Sequence, residues 1–140
     1  MALAQQNGMQ GVYLTAAELT ARGFIVSLTS RNAFGADLLV TDQRCQKTWS
    51  VQVKTSGRRK DYWLGSSRAK GIKSDSHIYV FVNLKGDQRP DCLVVRSKVV
   101  AKHTAEGSTY KSGTFYLFES KNAHLPPGDE GWDVFGEPGA

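Results

Sequence analysis

The run His77-Ile78-Tyr79-Val80-Phe81-Val82-Asn83-Leu84 is almost unbroken by polar residues. A strand with one wet face alternates apolar and polar side chains, whereas a strand buried on both faces does not. The run therefore predicts a central strand with material packed above and below it. That demands layers on both sides of a sheet. At 140 residues the chain is long enough to fill such layers, and it is expected to form one domain over residues 1–140. Apolar residues at 40% and charged residues at 22% suit a packed core rather than a disordered chain.

The flanking segments supply the other layers. Val12, Leu14, Ala16, Ala17, Leu19 and Ala21 form a broad apolar stripe, which predicts a helix over residues 10–22 stopped by Gly23. Residues 24–28, 36–41 and 48–55 read as three strands joined by hairpin-length connections. Residues 56–76 read as an irregular Gly/Ser/Lys/Arg-rich connection with a helical turn near 66–70. After the central run, residues 85–90 read as a turn and 92–96 as a strand. Ser97 is placed to cap a helix over 98–103, and 114–118 reads as a short strand or extended segment. The tail, with Trp132-Asp133-Val134-Phe135, is either a docked terminal turn or partly loose. The order predicts an α/β (α+β) fold, a central mixed sheet flanked by helices.

Several classes are excluded. No apolar run approaches the roughly 18 residues of a membrane span. The first residues lack the basic start and apolar stretch of a signal peptide, so a cytoplasmic location is expected. Cys45 and Cys92 are too few for a disulfide framework and match no zinc motif, so both are read as reduced and incidental. His77, His103 and His124 share no metal-ligand spacing. There is no phosphate-cradling glycine loop following a strand and no serine-nucleophile elbow.

What remains is a small constellation in the predicted meander. Asp37 stands at the start of one strand, and Gln52 and Lys54 lie two residues apart on the next. The strand period of two puts Gln52 and Lys54 on one face, roughly 7 Å apart. Asp37 can sit opposite them in an antiparallel pair. A hard divalent cation takes oxygen ligands, which Asp37, the Gln52 carboxamide and the Val53 backbone carbonyl could supply. Lys54 could stabilise charge on phosphorus-bound oxygens or orient a water. The bland alternative makes Asp37 a loop terminator and Gln52 and Lys54 the polar face of an edge strand.

The charge distribution points the same way. Net charge is +5 and the pI near 9.3. Lys54, Arg58, Arg59, Lys60, Arg68, Lys70 and Lys73 crowd into one stretch directly after the constellation, with Tyr62 and Trp63 among them. Cations beside aromatics suit a nucleic acid, whose phosphates and bases they can meet together, although Trp63 reads equally as a core anchor. Arg31 and Asn32, in the loop before Asp37, could also reach a phosphate.

Helix, strand, loop, Gly-x-Asp strand, turn and Gln-x-Lys strand, carried by Asp37 and Gln52-Val53-Lys54, resemble the PD-(D/E)XK nuclease superfamily. The likeness runs over about residues 8 to 84 and is nearest to its small, resolvase-like bacterial members. It implies a restriction-endonuclease-like core and hydrolysis of nucleic acid with Mg²⁺ or Mn²⁺. The superfamily usually has Glu or Asp where this chain has Gln52. Its members often carry a further Glu on the first helix; here Glu18 is the only acid on that helix, a catalytic candidate or else a solvated helix residue.

The leading expectation is thus a metal-dependent nuclease, with DNA as its expected substrate. Its rivals are a catalytically inactive nucleic-acid-binding module of the same fold, and a protein-interaction or structural role. A nuclease of this size acting on both strands has reason to pair as a homodimer.

Overall fold

A computed structural model describes residues 2–30, 35–57, 62–110, 113–120 and 131–139. Its centre is a five-stranded mixed sheet in the order β1-β2-β3-β5-β6. The strands are β1 (Ile25–Leu28), β2 (Leu38–Thr41), β3 (Thr48–Ser56), β5 (His77–Lys85) and β6 (Gln88–Arg96). All neighbours pair antiparallel except β3 and β5, which run parallel with Gln52 beside Tyr79 and Lys54 beside Phe81.

The central run behaves as its composition requires. The first eight residues of β5 are all buried. Ile78, Val80, Val82 and Leu84 join one core, and Tyr79 and Phe81 join another. The first core lies under helix α1 (Ala2–Ala21) and contains Val12, Leu19, Leu38, Val40, Val51 and Val53. The second lies under the single-turn helix η1 (Ser67–Lys70), helix α2 (Ser97–His103) and a small sheet.

That small sheet is an addition to the expected architecture. It is built from β4 (Tyr62–Gly65), β7 (Thr104–Tyr110) and β8 (Gly113–Glu119), in the order β4-β8-β7. Residues 62–65 were expected to be irregular and no strand was expected over 104–110. Neither segment alternates long enough to announce itself; each is held by pairing to β8. The turn expected over 85–90 is also corrected. β6 begins at Gln88, and Pro90 is tolerated because β6 is an edge strand that does not need every N–H.

Helix α1 starts well before residue 10, the expected boundary. Its first two turns are Gln- and Ala-rich, good helix formers that carry no apolar stripe to be read. It ends as foreseen. Gly23 takes φ +97° and donates to the Thr20 carbonyl, and Phe24 N–H donates to the Leu19 carbonyl. This is the Schellman arrangement, with Phe24 and Leu19 sharing the core beyond it. The tail is docked: Trp132 and Phe135 of the 3₁₀ turn Trp132–Phe135 are buried. Phe24, Trp49 and Phe135 meet with ring centroids 5.4–5.8 Å apart.

The contact of α1 with β3 depends on Gly11. A Cβ there would overlap Thr55 Oγ1. Thr55 is β-branched and stiff, so it cannot swing aside cheaply. Gly11→Ala should therefore lower stability by about 1–3 kcal/mol in urea unfolding, despite alanine's better helix propensity. Equal or higher stability would show that α1 can lift from β3 without loss.

Candidate nuclease-type site

Asp37 lies just before β2, where that strand leaves the sheet. Its N–H donates to the Val51 carbonyl at 2.7 Å, and its own carbonyl accepts from Thr29 N–H at 3.0 Å. Thr29 Oγ1 also donates to the Ala36 carbonyl at 2.7 Å. The backbone entering Asp37 is thus pinned on both sides. Beyond it β3 has no further β2 residue in its ladder. The Asp37 side chain fills the gap: Val53 N–H donates to Asp37 Oδ2 at 2.8 Å.

This hydrogen bond fixes the carboxylate against residues 51–54. Val51 C=O and Val53 N–H both turn toward β2, so by the two-residue pleat Val53 C=O turns to that same edge. Val53's side chain goes into the α1 core. Gln52 and Lys54 point to the opposite face, toward Tyr79 and Phe81. The oxygens of Asp37, Gln52 and Val53 belong to one short stretch of paired backbone.

Lys54 is half-buried, and burial pulls its ammonium below the usual lysine range. The negative charge of Asp37 acts in the opposite direction and favours the cation. The two side chains are therefore electrostatically linked.

The donor set suits a hard divalent cation in kind, since it is all oxygen. It is poor in charge. Among the described residues no three His, Cys, Asp or Glu side chains gather at one point. Asp37 brings the one formal negative charge, and one of its oxygens already holds Val53 N–H.

Glu18 is not part of this group. It pairs with Arg22 at 3.2 Å and Arg89 at 3.6 Å. The reason is topological: α1 covers the Val51/Val53 face, whereas Gln52 and Lys54 look out from the other. Of the basic residues, Arg68 lies on η1 at the cleft described below, Lys70 sits 5.8 Å above the Tyr116 ring, and Lys73 is exposed. Arg31, Asn32, Arg58, Arg59 and Lys60 lie outside the described residues.

Two features were not anticipated. Beside Gln52 and Lys54 opens a cleft of about 300 Å³ that runs down to Trp63, Phe81 and Phe118. The alternation within the central run was its sequence signal: Tyr79 and Phe81 are aromatic where Ile78, Val80 and Val82 are aliphatic. The second is the pairing of Ser50 Oγ with His77 Nδ1 at 2.6 Å. Burial lowers the His77 pKa, and its Nε2 has no hydrogen-bond partner among the described residues. The parallel β3–β5 register that brings them together could not be read from either strand alone.

Neither a protein-family model nor a curated protein sequence matches the chain. Among solved structures it is similar to Hjc of Archaeoglobus fulgidus, a Holliday junction resolvase from an archaeal hyperthermophile. The two share 13% identity and a TM-score of 0.54, over 93% of this chain and 96% of that one. A likeness at this identity speaks to the fold, and it agrees with the restriction-endonuclease-like core read from the sequence.

The Asp37–Val53 hydrogen bond separates structural from chemical roles. Asparagine keeps an oxygen for Val53 N–H but removes the charge. Asp37→Asn should unfold within about 0.5 kcal/mol of wild type, whereas Asp37→Ala should lose about 1–3 kcal/mol by stranding a backbone donor. Urea denaturation of both variants checks this, and equal losses would remove the hydrogen bond from the account.

Proposed function

We propose that this chain is a metal-dependent nuclease that hydrolyses phosphodiester bonds in DNA. The observation that carries the reading is the seating of the Asp37 carboxylate against Val53, with Gln52 and Lys54 issuing from the same stretch of β3. The basic balance of the chain and its likeness to a resolvase fold support it.

Asp37, the Val53 carbonyl and Gln52 would hold Mg²⁺ or Mn²⁺. Such an ion would supply charge neutralisation at the phosphate and a more acidic water. The chain's own residues do the rest. Asp37 holds position through Val53 N–H, and its negative charge favours the cationic form of Lys54 against the opposing effect of burial. Lys54, on a rigid central strand, directs its ammonium to the phosphate oxygens, where negative charge builds during hydrolysis. Its half-burial strengthens that interaction, because little water competes with it. The reading takes the chain as a single nuclease-like domain that works in the cytoplasm and acts as a homodimer where both strands are cut.

A second reading has its own support. A site with one formal negative charge, half engaged by a backbone N–H, attracts a cation weakly. A DNA-binding module that has lost its chemistry would show the same fold and the same basic surface.

Plasmid and oligonucleotide cleavage with Mg²⁺ or Mn²⁺ decides between them. Asp37→Asn and Lys54→Ala should each reduce the rate at least about 100-fold while remaining folded. The pH profile adds a check with a definite sign. Lys54 must stay protonated, and burial lowers its pKa, so the rate should fall at a lower alkaline pH than an ordinary lysine would give. Lys54→Arg, which keeps its proton throughout, should lose that alkaline limb at a reduced overall rate. Salt-sensitive DNA binding without any metal-dependent cleavage would leave the binding module as the function.

A further inference from the structure

The cleft beside Gln52 and Lys54 has a construction that phosphate chemistry does not require. Its mouth is polar, formed by Gln52, Lys54, Ser66 and Arg68. Its depth is aromatic. Trp63 and Phe81 lie with ring centroids 4.8 Å apart, and Phe81 stacks on Phe118 at 4.7 Å. Outside the five-stranded sheet, residues of β4, η1, α2, β7 and β8 wall it in. At about 300 Å³ it stands at the small end of ligand pockets, which run from about 300 to 1,000 Å³. A single nucleobase is of a size that suits such a space.

We infer that this cleft receives the base of a single unpaired nucleotide, whose phosphate then lies at Asp37, Gln52 and Lys54. The inference rests on the nuclease reading for the phosphate, and it adds a substrate class: strands with an unpaired base at a bulge, junction, flap or end. A base inside a duplex is stacked on both sides and cannot enter a walled cleft. An extruded base gains an aromatic surface and a flanking guanidinium, a combination that binds bases with little regard to sequence. Arg68 and Lys54 flank the mouth, so the backbone on either side of the base meets positive charge.

The test uses the intact chain and fluorescence-labelled oligonucleotides in EDTA, so binding is read without cleavage. Three duplexes of one sequence are compared: fully paired, with a one-adenine bulge, and with an abasic bulge. The adenine bulge should bind about tenfold more tightly than the abasic one, or ~1.4 kcal/mol. The abasic bulge should bind like the paired duplex. Ser66→Trp places a large side chain at the exposed, extended mouth residue and should erase the tenfold preference in a protein whose urea unfolding matches wild type. Equal affinity for the adenine and abasic bulges overturns the inference, whatever the cleavage assays show. So does a preference that Ser66→Trp leaves intact, or tight binding of free dAMP with no difference between bulges, which would mark a mononucleotide site. Absence of metal-dependent cleavage alongside the tenfold preference would instead sink the nuclease reading and keep the base cleft.

Discussion

The hydrogen bond from Val53 N–H to the Asp37 carboxylate is the hinge of this structure. Backbone N–H groups in a sheet must find acceptors. Where β2 peels away after pairing with residues 48–51, β3 would have an unmet donor. A side-chain carboxylate takes the place of the departing strand. The substitution lets the chain leave the sheet toward the loop before Asp37. It also anchors an anionic group beside Lys54. One contact therefore serves the fold and the candidate chemistry together: it seats the charge that opposes the lowering of the Lys54 pKa by burial.

The rest of the architecture positions that contact. β3 is held between β2 and β5, with α1 close on its inner face through Gly11. β5 is buried on both faces, the property that its apolar run announced. Its aliphatic residues lock the strand to the α1 core. Its aromatic residues open the other face to η1, α2 and the small sheet. The result is a rigid platform with a polar edge and an aromatic recess next to each other.

Much of this was legible in the residues. The helix stop at Gly23, the three-strand meander and the central strand follow from local periodicity and turn chemistry. Asp37, Gln52 and Lys54 could be brought together because two short strands joined by a polar turn pair in few ways. Glu18 could not be placed, because the face of a helix that meets a sheet depends on packing; it faces Arg22 and Arg89 instead. The small sheet was hidden for a related reason. β4 and β7 are short and weakly patterned and exist through pairing with β8, a non-local choice. The Ser50–His77 pair depended on a parallel register between distant segments, and the structural duty of Asp37 depended on the end of a ladder.

In the proposed function, oxygens of Asp37, Gln52 and Val53 form one weak cation site. Titration of ¹⁵N-labelled protein with substoichiometric Mn²⁺ reads it directly through paramagnetic broadening of backbone amides. The expected result is early loss of the Asp37, Gln52 and Val53 signals, at lower Mn²⁺ in Gln52→Glu, where one negative charge is added. Broadening centred elsewhere, or the same titration midpoint in Gln52→Glu with both proteins folded, would contradict it.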